Sequence, residues 1–163
     1  MRSSWSSSED SLRLVEKEPR AERAASFRHD RRMKTIARVL LGVFLMFAGF
    51  SHLFWARTEF AAQVPTWVPL DTDFVVLASG VVEIALGLAL VFVRRPAVGW
   101  IVAAFFVAVF PGNISQFLTH TDAFGLDTDA ARGIRLLFQP LLIVWALWCT
   151  DAIGRRRRVA SRS

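Results

Sequence analysis

Apolar side chains gather into four long runs along this chain, separated by short polar segments. The runs cover residues 36–55, 74–93, 97–118 and 133–149. A helix of about 20 residues rises about 30 Å, which matches the thickness of the hydrocarbon core of a bilayer. The pattern therefore predicts an all-α membrane protein built as a bundle of four transmembrane helices.

Basic residues are distributed unevenly among the polar segments. Of the 20 Lys and Arg residues, 17 lie before or at the very start of the first run, between the second and third runs, or after the fourth; the others are Arg57, Arg132 and Arg135. Cytoplasmic segments carry such an excess, so we expect both termini in the cytoplasm (N-in/C-in). The net charge of +6 is thereby explained by topology and contact with anionic lipid headgroups, and we expect no nucleic-acid partner.

Composition divides the chain into three parts. Residues 1–33, rich in Ser, Arg and Glu, are predicted to be a disordered basic tail, with a short surface helix near residues 12–15 as the alternative. Residues 34–153 form the transmembrane domain, and residues 154–163 form a basic cytoplasmic tail. Because Met33-Lys34 directly precedes the first run, we hypothesise that the residues before it are dispensable or not translated.

The segment between the first and second runs, residues 56–73, is unusually apolar for a loop on the outer side. Pro65 and Pro69 prevent one continuous helix, and Trp67 suits the interface between lipid and water. We predict a short interfacial helix followed by a turn, Pro65 to Pro69, that lies over the mouth of the bundle. A loop anchored only by Trp67 is the alternative.

Six polar side chains within or near the apolar runs are predicted to lie in the outer half of the membrane: His52, Glu83, Asn113, Gln116, Arg135 and Gln139. Glu83 is the deepest, about 14 Å from the outer end of its helix. A carboxyl facing lipid costs several kcal/mol, so we expect Glu83 to face the bundle interior. Ser79 and Gly87 share its face, and such small residues allow close helix packing.

Prolines inside the third and fourth runs strengthen the case for a site. Pro111 and Pro140 each remove one helical hydrogen bond, and such interruptions persist where protein or water satisfies the freed carbonyl. We therefore predict a polar pocket open to the outer face, formed by the six residues and covered by Pro65, Trp67 and Pro69. It would suit proton exchange or a hydrogen bond to a quinone or lipid headgroup. The alternative is that these groups bond one another and fix the packing.

Catalytic chemistry has little basis in the sequence. Cys149 is the single cysteine, so the chain supplies no disulfide, no redox-active dithiol and no thiolate metal site. We find no catalytic, haem, flavin, iron–sulfur or metal-binding motif either. A self-contained oxidoreductase is therefore not expected.

Five short motifs carry a family resemblance: AGFSH at 48–52, VPTWVP at 64–69, the Ser79-Gly80, Glu83-Ile84 and Gly87 positions within 79–87, FPGNI at 110–114 and RLLFQ at 135–139. In their order and spacing, from about residue 35 to 150, the chain resembles the DoxX-like family of small four-helix membrane proteins. It departs at Gly112, where that family often has Ala, and near Leu137, where it often has Pro.

The resemblance implies a link to membrane redox chemistry. Members include a quinone-reducing thiosulfate oxidase and a protein assembled with detoxifying oxidoreductases. We accordingly expect an accessory or redox-associated subunit of a bacterial cytoplasmic membrane, with a quinone as a possible ligand and membrane lipids or a membrane-associated oxidoreductase as partners. The alternatives are a proton-linked transporter that acts as a homo-oligomer through Glu83, and a purely structural subunit.

Overall fold

A computed structural model describes residues 6–61, 63–120 and 128–153 of the chain, and the side chains of these residues apart from 6–24, 129 and 132. Within these residues the secondary structure is helical. The helices are α1 (Ser6–Phe54), α2 (Arg57–Ala61), α3 (Thr72–Phe92), α4 (Pro96–Leu118) and α5 (Asp129–Cys149).

Three segments of these helices are long and apolar enough to cross a membrane: Ala25–Phe54, Thr72–Phe92 and Pro96–Leu118. Gly133–Cys149 within α5 is a shorter apolar helix. Large apolar side chains such as Phe47 and Leu137 are exposed on the helices, as expected where lipid is the solvent. The chain is a multi-pass helical membrane protein, and the predicted apolar runs lie on these helices.

The chain divides into two compact units, residues 1–36 and 37–163. In the first unit the structure differs from the prediction of disorder, because residues 6–36 are helical. Contacts four residues apart reinforce this helix: Lys34 Nζ lies 2.9 Å from Asp30 Oδ2, and Thr35 Oγ1 donates to the Arg31 carbonyl over 2.9 Å. The segment is also rich in Arg, Glu and Ala, which favour helix.

In the second unit, α1 and α3 approach each other through two pairs of glycines. A Cβ atom on Gly49 would lie 2.5 Å from the Gly80 carbonyl oxygen, and one on Gly87 would lie 2.6 Å from the Gly42 carbonyl oxygen. Only glycine permits backbones this close. The antiparallel contact also brings His52 next to Gly80 and Glu83 next to Gly49, so it sets the distance between the imidazole and the carboxyl.

One end of the second unit is filled by apolar side chains. Buried residues from all four long helices form this core: Leu41, Leu45, Leu90, Val98, Val102, Phe106, Ala146 and Cys149. We call this end, residues 37–45, 87–93, 96–106 and 143–150, the packed half. The other end, residues 46–86, 107–118 and 129–142 (residue 62 apart), is the polar half.

Two polar contacts hold the packed half. Arg38, only 6% exposed, points Nη1 at the Val93 carbonyl oxygen, 3.5 Å away, at the C-terminal end of α3. A cation is favourable there because the helix dipole leaves partial negative charge on the last carbonyls. Trp145 Nε1 donates to the Ala37 carbonyl over 3.1 Å, which joins α5 to α1.

Candidate functional site

A cavity of about 710 Å³ lies largely in the polar half, between α1, α3, α4, α5 and the segment that follows α1. Small-molecule sites in proteins usually measure 300–1,000 Å³. Most of the lining is apolar and aromatic. The polar side chains among the lining residues are His52, Gln63, Ser79, Glu83, Asn113, Arg135 and Gln139.

The structure brings together most of the residues that the sequence singled out. Five of the six polar candidates line the cavity, together with Pro65 and Trp67 from the predicted cover. Gln116 is buried, with 2% of its surface exposed, but it is not part of the lining, and neither is Pro69. The predicted short helix after the first run is present as α2.

His52 is held by its neighbours on α3. Ser79 Oγ lies 3.3 Å from His52 Nδ1 and donates its own proton to the Val76 carbonyl over 2.8 Å. A hydroxyl has one proton, so Ser79 Oγ can only accept from the ring. This arrangement favours the tautomer with the proton on Nδ1. Glu83 Oε2 lies 3.6 Å from the same nitrogen, longer than the 2.7–2.9 Å of a charge-assisted hydrogen bond.

Three buried side-chain atoms have no hydrogen-bond partner in the part of the chain that the structure describes. They are His52 Nε2, Gln63 Nε2 and Glu83 Oε2. All three residues line the cavity. A buried polar atom without a partner costs about 1–3 kcal/mol, and native proteins contain few of them. The three residues therefore cluster around one cavity, although the unpartnered atoms themselves are covered by neighbouring protein atoms.

The side-chain amides of Asn113 on α4 and Gln139 on α5, in contrast, have hydrogen-bond partners. Asn113 Nδ2 donates to Gln139 Oε1 over 3.0 Å, and Gln139 Nε2 donates to the Phe106 carbonyl over 2.7 Å. The second bond ends at the residue before Val107. The Val107 carbonyl lacks its usual backbone N–H partner in the helix, because residue 111 is proline. The geometry of Asn113 and Gln139 fits the alternative in which polar groups bond one another and fix helix packing, since these two side chains join α4 to α5.

The segment after α1 forms a cover on the cavity. The Phe60 ring of α2 packs edge-on against the His52 ring, with an angle of 82° between the ring planes. A Cβ atom on Gly112 would lie 2.8 Å from the Gln63 carbonyl oxygen, so the glycine after Pro111 lets this segment lie against α4. Trp67 also lines the cavity although 71% of its surface is exposed, which places it at the cavity mouth.

Sequence reasoning missed the contributions of Phe60, Gln63 and Ser79. Phe60 and Gln63 lie in a segment interpreted as an apolar cover, and Ser79 was interpreted only as a small neighbour of Glu83. The alternation of small and polar residues on α3 could have indicated that Ser79 faces a partner. No pattern in the sequence marks Gln63, because its position depends on the contact with Gly112.

Comparison with known protein families places this geometry within one domain. The model of the family described as Domain of unknown function (DUF8561) matches residues 41–150. The chain belongs to this family. Every residue that lines the cavity, from Phe44 to Trp145, falls within the matched range. No curated protein and no solved structure matches the chain.

Proposed function

We propose that this chain is a four-span protein of a bacterial cytoplasmic membrane, with both termini in the cytoplasm, whose cavity binds the polar head of an apolar molecule. One observation carries the proposal: the lining of one mainly apolar cavity includes His52, Gln63 and Glu83, and each of them has a buried side-chain atom without a hydrogen-bond partner among the described residues. Such a site combines apolar contact area with a few polar groups that fix the orientation of a ligand.

The ligand class follows from this lining. A quinone-like molecule or a lipid has an apolar body and a compact polar head, which fits mainly apolar walls with a few polar residues among them. An accessory role in membrane redox chemistry, with a membrane-associated oxidoreductase as partner, rests on the resemblance to the DoxX-like family. The chain supplies the binding site, and the partner supplies the electron-transfer groups.

The test is purification from the native membrane in mild detergent, followed by mass spectrometry of bound proteins, lipids and quinones. We expect one amphiphile to be enriched with the wild type and to be reduced at least about tenfold with Glu83→Gln, since the substitution changes a residue that lines the cavity. Glu59→Gln is the matched control, because Glu59 is exposed on α2. Identical lipid mixtures from all three proteins would overturn the proposal.

A proton-linked carrier is a second candidate, favoured by one observation. An imidazole and a carboxyl lie 3.6 Å apart within membrane-spanning helices, and such pairs occur in proton relays. Because four helices are few for alternating access, this function needs a homo-oligomer. In proteoliposomes, loss of a proton-coupled flux in Glu83→Gln, with folding intact, would favour the carrier. A fall in thermal stability alone would favour a purely structural subunit.

The proposed orientation has its own test. Reporter fusions within residues 119–132 are expected to be active only outside the cytoplasm, and fusions after residue 153 only inside it. The reason is the basic excess at both ends of the chain. A reporter at residues 119–132 that is active in the cytosol would reverse this orientation and place the cavity on the other side of the membrane.

A further inference from the structure

The edge of the cavity lies mostly on the long helices and not on the segment after α1. A residue that lines a cavity and is also exposed lies where the cavity meets the outside. In the segment after α1 this holds for Trp67. Apolar residues of three long helices share the property: Phe44 on α1, Ala108 and Pro111 on α4, and Ile134, Phe138 and Leu141 on α5.

The exposed lining residues of α5 mark one side of an opening. Ile134, Phe138 and Leu141 follow the spacing i, i+4, i+7 and therefore share one face of the helix. Each is more than half exposed although it lines the cavity. On α1, Phe44 combines the same two properties, with 49% of its surface exposed. The wall formed by α3 differs, because its lining residues are all buried or half-buried: Val75, Val76, Ser79 and Glu83.

This opening lies between neighbouring helices and deep in the membrane. The bond from Trp145 to the Ala37 carbonyl joins α5 to α1 in the packed half. At about 1.5 Å per residue, Phe44 lies about 15 Å from the C-terminal end of α1, and Leu141 about 12 Å from the start of the apolar part of α5. Half of a hydrocarbon core measures about 15 Å. Lipid acyl chains, and not water, therefore surround the protein at this depth.

We propose that a hydrocarbon chain from the bilayer enters the cavity between α1 and α5, through a lateral opening edged by Phe44, Ile134, Phe138 and Leu141. This proposal rests on the proposed function, including its four spans, and specifies how the apolar part of the ligand is held. Methylene groups gain dispersion contacts along apolar walls. The ligand reaches the site from the lipid phase, and its polar head lies toward the polar residues of the cavity.

The experiment labels the wild type in vesicles of a phosphatidylcholine that carries a diazirine at the middle of one acyl chain. Light converts the diazirine to a carbene, which inserts into atoms that it touches, and mass spectrometry of peptides locates the label. Val109 and Leu142 report entry, because both line the cavity and are half-buried. Val109 also lies on the same face of α4 as the buried Val102 and Phe106, so this face is turned away from the surrounding lipid.

Three reference residues calibrate the labelling. Leu90 and Val102 are 0% exposed and do not line the cavity, whereas Phe47 is exposed and does not line it either. We expect Phe47 to be labelled by the surrounding lipid. Labelling of Val109 and Leu142 should exceed that of Leu90 and Val102 at least about tenfold, because insertion needs contact within about 4.5 Å.

A variant assigns entry to the lateral opening. Leu141→Trp places a larger side chain at its edge and should lower the labelling of Val109 and Leu142 at least about threefold, since an indole fills more of the gap than a leucine. Leu137→Trp is the matched control, because it makes the same change one turn away at an exposed residue that does not line the cavity. It should leave the labelling of both reporters unchanged.

The outcomes separate the two proposals. Labelling of Val109 and Leu142 no higher than that of Leu90 would overturn chain entry, while an amphiphile that still co-purifies would keep the proposed function, with Trp67 at its route of access. Reporter labelling with no enriched amphiphile would support chain entry and overturn the proposed function.

The position of the opening is decided separately. Labelling that Leu141→Trp leaves unchanged would overturn the opening between α1 and α5 and favour entry beside Ala108 on α4. If Leu141→Trp does not fold, Phe44→Trp makes the same test from α1, and the wild-type labelling decides chain entry without either variant.

Discussion

The packed half and the polar half are built from the same four long helices but differ in how their interior is filled. In the packed half Leu41, Leu90 and Val102 are fully buried, and the glycine pair 42 and 87 brings two backbones together. In the polar half the helices enclose most of a cavity, and His52 and Glu83 each have a buried polar atom without a hydrogen-bond partner in the part of the chain that the structure describes. The packed half is filled by apolar side chains, whereas the polar half leaves space between the same helices.

The difference between the two halves can be understood from the lipid that surrounds the helices. Lipid tails are as apolar as Leu, so burying an apolar side chain gains little from transfer, and helices associate through close packing and hydrogen bonds. The packed half provides these interactions. The polar half can then keep groups that cost stability, which is usual for sites that bind or react.

The largest effect should come from breaking the glycine contact. In Gly87→Ala the new Cβ atom would lie 2.6 Å from both the Gly42 carbonyl oxygen and Met46 Cγ. Relieving this overlap requires separation of α1 and α3, at a cost of about 2–3 kcal/mol. Thermal unfolding in detergent measures the loss. Gly133→Ala is the control, because its Cβ atom would meet only Phe117 at 3.7 Å; equal losses would show that the contact between α1 and α3 is unimportant.

A smaller loss is expected from a cavity made in the packed half. Leu90→Ala removes a side chain that is 0% exposed, and the void left among its neighbours should cost about 2 kcal/mol in packing energy. Leu88→Ala makes the same change two residues away, where the side chain is 43% exposed. We expect this control to change the midpoint of chemical unfolding very little. If the two variants behave alike, the packed half is not the stabilising part.

The sequence predicts the positions of the helices and the depths of their polar residues, but not which helices contact each other. The apolar runs follow from the need to span hydrocarbon, and the depths of His52 and Glu83 follow from the helical rise alone. Which helix faces which cannot be read from a single sequence, so the pairing of Gly49 with Gly80 and the position of Gln63 against Gly112 were not predicted. Likewise, composition alone predicts disorder for residues 1–33, whereas the described part of that segment, residues 6–33, is helical, as its helix propensity favours.

A still smaller effect should follow from cutting the amide bridge between α4 and α5. Gln139→Leu removes the donor to the Phe106 carbonyl and the acceptor for Asn113. Hydrogen bonds between helices in a bilayer contribute about 0.6 kcal/mol on average, so we expect a loss of about 1 kcal/mol. A double-mutant cycle with Asn113→Ala should give a coupling energy of similar size. Strict additivity would mean that these two amides do not stabilise each other.

The smallest change in stability, and the sharpest contrast between the halves, is expected at Glu83. Glu83→Met keeps the length of the side chain and removes two oxygens, one of which has no hydrogen-bond partner among the described residues. Replacing such a buried polar group by an apolar one is often neutral or stabilising, so the free energy of unfolding should stay within about 1 kcal/mol of the wild type or rise. Co-purification of the amphiphile expected under the proposed function, in contrast, should weaken, because Glu83 lines the cavity. A large loss of stability with binding intact would instead assign Glu83 to helix packing, and the polar half would then be a second core.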